Sequence, residues 1–155
     1  MSAVNPPPMN KVVVSVDPNT SIYADGDLVG EKLTLAVPAS GIIETITLID
    51  QAKQNAALDL IFFTKNPSAT TFTDNAALDV ADADALNIIG AVRIAASDYV
   101  DLADNSVACL RGVGLGYVSD AGGLLYACFV SNGATPTYAA TTDLQLVVVT
   151  IPDTF

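Results

Sequence analysis

The apolar residues of this chain arrive in short runs of Val, Ile, Leu, Phe and Thr, each cut off by Pro, Gly, Asn or Asp. Runs of that length and composition suit pleated, half-buried strands and are too short for long helices, so the chain is read as all-β. Lys11 to Asp17 is the first predicted strand, with Val12, Val14 and Val16 on one face, Val13 and Ser15 on the other, and Asp17-Pro18-Asn19 as its turn. Tyr23 to Asp27 reads as a second turn before Leu28 and Val29. Glu31 to Val37 is closed by Pro38, and Ile42 to Asp50 alternates Ile43, Thr45, Thr47 and Ile49 against Ile42, Glu44, Ile46 and Leu48 as a central strand. Ala57 to Phe63 is apolar on both faces, which places it between two layers.

Beyond it, Leu78, Ala81, Ala85, Leu86 and Ile89 recur at helical spacing between Asp74 and Gly90. One short helix is expected there, with Asp79, Asp82 or Asp84 as N-cap and Gly90 at its C-terminus. Ala91 to Ala95 returns to extended structure, and Asp98 to Asn105 is a polar turn. Val107 to Val118 and Leu124 to Val130 then read as a hairpin joined through Ser119 to Gly123. In that register Tyr117 faces Leu125, Leu115 faces Ala127 and Val113 faces Phe129, while Gly112, Gly114 and Gly116 share the other face and leave room for Tyr126 to lie across the backbone or for another layer to approach closely. Asp143 to Ile151 is the last strand, with Leu144, Leu146 and Val148 opposed to Val147, Val149 and Ile151. The same hairpin register holds Cys109 and Cys128 too far apart for a disulfide, so both are expected as free thiols among apolar neighbours.

A length of 155 residues is enough for one core without covalent staples. The reading is one β-sandwich domain over residues 11–155, preceded by an extended Pro-rich arm over residues 1–10. Although the mean hydropathy is +0.46, no apolar stretch is long enough for a spanning helix, and no basic-then-apolar leader is visible at the start. No membrane partner is expected, and an origin in the cytoplasm of a cell fits. Six basic against seventeen acidic residues, a net charge of −11, argues against direct nucleic-acid binding and favours a basic protein surface as partner.

The chain contains no histidine, which removes the usual titrating group and the commonest metal ligand. The cysteines have no histidine base or positive neighbour to activate them. Ser40 and Ser131 lack a base at any recognisable spacing. Gly112-Val-Gly-Leu-Gly116 has neither the spacing nor the strand-to-helix setting of a phosphate loop. Three acidic groups could be imagined around a hard cation: Asp25 with Asp27; Asp79, Asp82 and Asp84; and Asp98, Asp101 and Asp104. None has the spacing of a calcium loop, and aspartates also close turns and cap helices. No catalytic residue, metal or cofactor is therefore expected. Asn5, Pro6, Pro7, Pro8 and Met9 read either as a mobile terminus or as a stiff extension lying on a neighbouring subunit. Pro136 and Tyr138 lie in a loop expected to be exposed near a sheet end, a second plausible contact.

The order Tyr23-x-x-Gly26-Asp27-x-x-Gly30, Leu48-Ile-Asp50, the Leu58 to Phe63 strand ending near Pro67, an Asp/Ala-rich helix through Ile88, and Leu125-Tyr126 with the return from Pro136 to Leu144 resembles the small capsid decoration (cement) proteins of tailed bacteriophages. The likeness runs over residues 20–151 and leaves out the Pro-rich start. It implies a jelly-roll-like β-sandwich on the outer capsid surface of a virion, bound to the major capsid protein as a small homo-oligomer, dimer or trimer, with no active site. A carbohydrate-binding or adhesin-like β-sandwich shares that fold and is the alternative, although it calls for exposed aromatic platforms. A carboxylate hydrolase is a further rival, and the chain has no tryptophan to line a sugar site.

Overall fold

A computed structural model describes residues 9–153. The alternating runs form nine strands: β1 (Asn10–Ser15), β2 (Leu28–Ala36), β3 (Ser40–Asp50), β4 (Leu58–Phe63), β5 (Ile88–Ile94), β6 (Tyr99–Asp101), β7 (Ser106–Val118), β8 (Leu124–Ser131) and β9 (Leu144–Pro152). They build two antiparallel sheets, one of five strands in the order β1-β9-β3-β7-β6 and one of four in the order β2-β8-β4-β5. The pairing is nested. β1 pairs with β9, β2 with β8, β3 with β7 and β4 with β5, so the chain is a long hairpin rolled up on itself with β6 added at one edge. That nesting is the jelly roll.

The core between the sheets is filled by inward residues such as Leu35, Ile43, Ile46, Leu48, Leu60, Phe62, Leu125, Phe129, Leu146 and Val148. β3 lies between β9 and β7, the central position expected of it. Its alternation is broken, however, by a bulge between Ile43 and Thr45. One extra residue reverses the faces beyond it, so Ile43, Ile46 and Leu48 are all buried, whereas the plain alternation sets Ile43 opposite the other two. On the partner strand Gly112 and Gly114 have φ of 67° and 69°, which is why glycines stand there; they serve the bulge and do not clear space for Tyr126.

The expected hairpin between β7 and β8 does not form. The two strands lie in different sheets, β7 beside β3 and β8 between β2 and β4, and residues 119–123 carry the chain across the sandwich end. Tyr117, Leu115 and Val113 therefore do not pair with Leu125, Ala127 and Phe129. Both cysteines are free even so; Cys128 is buried in β8, while Cys109 is exposed on β7.

Leu28-Val29 and the Glu31 run are one strand, β2, with a register shift between Val29 and Leu33. The helix shrinks to a single turn, Asp82–Ala85, capped by Ala81 rather than by an aspartate. Leu86 is 88% exposed, Leu78 packs on the four-stranded sheet, and Ile89 and Gly90 already belong to β5. Gly90 is no helix cap: a Cβ there would stand 2.8 Å from Leu115 of the facing sheet, so it permits close approach of the layers. The polar segment after Asp98 contributes the short edge strand β6.

The connection between β4 and β5, residues 64–87, crosses the outer face of the four-stranded sheet. Its Phe72, Leu78 and Val80 pack on Leu28, Phe63, Tyr126 and Cys128, a second apolar cluster outside the main core. Phe63 and Phe72 meet edge to face at 6.4 Å, and the Lys32 ammonium lies 5.8 Å from the Phe72 ring and 5.7 Å from that of Tyr126. Phe62 and Phe63 are thus both fully buried, as expected for a strand between two layers.

Candidate functional site

Carboxylates tie down the loops at one end of the sandwich. Asp74 accepts from the Tyr23 hydroxyl at 2.6 Å, from the Gly30 amide at 2.9 Å and from the Asn19 amide at 3.0 Å. The side-chain amide of Asn75 donates to Asn19 Oδ1 and to the carbonyls of Ser21 and Ile22, so one dipeptide of the roof holds the whole segment after β1. Burial, then the Asp74 hydrogen bond, drives the Tyr23 phenol far above its ordinary value, which keeps it a neutral donor. Gly30 has φ +81°, and a Cβ on it would overlap the Val16 carbonyl, so only glycine fits this clamp.

At the same end of the sandwich Asp50 accepts from the amides of Ala52, Gln54 and Asn55 at 2.9–3.0 Å. Burial raises its pKa above the ordinary value even though those three amides favour the charged form; nearby Asp143 adds to the rise. Asp143 in turn accepts from Ala139 and Ala140. These are turn-closing carboxylates, the role that short acidic side chains perform in loops.

Five of the eight aspartates in the three acidic groups accept hydrogen bonds in the same way. Asp25 accepts from Gly133, Asp27 from Ala24, Asp84 from the Thr70 hydroxyl, Asp98 from Ala95 and Asp101 from Asn55. Among the described residues no three acidic or thiol side chains converge, and no cavity opens between the elements.

Of the residues expected to touch a partner, Met9 is exposed, while Asn5, Pro6, Pro7 and Pro8 lie outside the described residues. Pro136 and Tyr138 do not stand on the surface. Tyr138 is 1% exposed and meets Tyr23 edge to face at 6.0 Å, and the Pro136 carbonyl accepts from the Tyr23 amide. Proline and an apolar ring here plug the end of the core, and composition alone could not distinguish a plug from an exposed tip. Among the described residues the Tyr138 hydroxyl has no hydrogen-bond partner, and burial is the main cause of its raised pKa.

What sequence reasoning did not single out is the outer face of the five-stranded sheet. Across it Val13 pairs with Val147, Val147 with Thr47, and Thr47 with Cys109. In the next outward row Lys11 pairs with Val149, Val149 with Thr45, and Thr45 with Arg111. Ile151 beside Ile42 and Gln145 beside Ile49 continue it. Val13 is 57% exposed, Val118 66% and Val100 on β6 64%. No segment of the described chain crosses this face. The signal was legible in β9, where both alternating sets are apolar although only Leu144, Leu146 and Val148 are needed inside.

No protein-family model matches the chain, and no curated protein matches it.

Proposed function

We propose that this protein is a structural virion component, a capsid decoration (cement) protein that binds the outer surface of a bacteriophage icosahedral shell and strengthens contacts between major capsid subunits. The observation that carries the reading is the combination of a jelly roll whose loops at one end are locked by buried and half-buried carboxylates with a broad apolar sheet face left bare. A cement must present fixed shape to a lattice, and a rim held by Asp50, Asp74 and Asp143 does so with little conformational entropy left to lose on docking. Binding the assembled lattice better than its free subunits stabilises the shell by mass action. The acidic surplus steers docking toward basic patches. The order of residues from Tyr23 to Leu144 that resembles the decoration proteins supports the same reading, because its Tyr23, Gly26, Asp27 and Gly30 all serve the locked rim.

Mixing the purified protein with expanded phage capsids that lack it tests this directly. Saturable attachment at a fixed ratio to the major capsid protein, with a raised capsid melting temperature, is expected. Absence of attachment overturns the proposal. The sugar-binding alternative gains no support from the described surface, where the Tyr and Phe rings are buried or half-buried.

A further inference from the structure

We propose that the outer face of the five-stranded sheet is a self-association surface, on which a second copy of this chain packs face to face. The inference names the surface on which the small homo-oligomer of that reading would form, and it is tested on the free protein without capsids. Three observations point to a copy of the same chain as the occupant.

The first is that the fold covers the corresponding face of its other sheet with its own residues, Phe72, Leu78 and Val80, and leaves this one uncovered among the described residues. Val13, Ile42, Ile49, Val147, Val149 and Ile151 are apolar side chains of the kind found between packed sheets. The second is charge. Within the strands, the outward face carries only Lys11, Arg111 and, at the bulge, Glu44, on a chain of net −11. Two copies stacked here bring little charge together, and in particular few of the acidic residues. The third is size. Strands about 4.8 Å apart, with about 3.3 Å per residue along them, give the patch roughly 500 Å² per copy. The pair then buries about 1,000 Å², the lower bound for a specific interface, which fits an association that depends on concentration.

In any two-fold stacking of this patch on itself, its centre meets its own copy. That centre is Val147 with its neighbour Thr47, and Cys109 is the next residue across. Cys109 is the exposed thiol, whereas Cys128 is buried and its pKa is pushed up to about 12 by that burial, so a thiol reagent reads this face in the unaltered protein.

The test is sedimentation velocity of the full chain over about 1 μM to 1 mM, paired with the rate of Cys109 alkylation. We expect a concentration-dependent dimer, with alkylation slowed several-fold as the dimer forms. Val149→Asp should shift the dimer to monomer, with its far-UV circular dichroism unchanged because the side chain points away from the core. A Cys109→Ser, Val147→Cys double variant should be linked into a covalent dimer by a short bismaleimide, since face-packed sheets stand about 10 Å apart. The same reagent on Cys109→Ser, Thr34→Cys, exposed on β2, should not link copies. A chain that stays monomeric throughout overturns the proposal, whether the face is then covered by residues 1–8 or by a shell. So does an oligomer that Val149→Asp leaves intact.

Discussion

The two outer faces of this sandwich are built from similar strands and meet different fates. Over the four-stranded sheet, the connection from β4 to β5 lays Phe72, Leu78 and Val80 on Phe63 and Tyr126 and seals a second cluster. Over the five-stranded sheet, Val13, Val147, Val149 and Ile151 stay outside. Apolar alternation therefore does not say whether a face is covered by its own chain or left for another. Covering depends on the length and route of the connecting segments, and the β4–β5 connection, residues 64–87, is the longest between the strands described.

The largest test of that contrast is Phe63→Ala, which hollows the sealed cluster. It should cost about 3–5 kcal/mol in urea unfolding, as deletion of a fully buried ring does. A loss under 1 kcal/mol would mean the roof contributes little. Unpinning the roof comes next. The Thr70 hydroxyl donates to buried Asp84 and accepts from the Ala81 amide, so Thr70→Val leaves two partners unsatisfied and should cost about 1–3 kcal/mol. The bare face should behave otherwise. Val149→Thr is expected to change unfolding stability by no more than about 0.5 kcal/mol, because its side chain lies outside the core. Equal sensitivity of Val149 and Phe63 would erase the distinction between the faces.

Asp50 belongs to neither face and supplies a pH control. Its folded pKa lies above the ordinary value of 3.8, so the folded state favours its protonated form. Its contribution to stability is therefore fully present below about pH 3.8 and is lost as pH rises toward the folded value. The stability of the wild type relative to Asp50→Asn should fall between pH 3 and pH 7, measured by paired urea titrations. A relative stability that climbs with pH would contradict the raised pKa.

Much of the local structure was legible. Val12, Val14 and Val16 face in from the start of the sandwich and Val13 faces out, and Leu144, Leu146 and Val148 oppose Val147 and Val149 as the alternation requires. A period of two is dictated by the strand itself, so reading it needs no partner. The helix was overread, because Leu78, Ala81, Ala85 and Leu86 match a helical stripe only if the backbone continues, and it turns once and leaves Leu86 in solvent. Pro136 and Tyr138 were misplaced for a related reason, since a loop that plugs a core carries the same residues as one that projects from it.

The amino-acid sequence by itself determined that the chain is all-β and roughly where most of its strands lie, because turn residues and side-chain alternation act within a few positions. Only the tertiary structure decided which strands pair. β7 and β8 are adjacent in sequence yet lie in opposite sheets, since rolling the whole chain buries both against the core while a local hairpin would pair only the two of them. The same nonlocal choice leaves one sheet roofed and the other open, and that openness is where a partner can act.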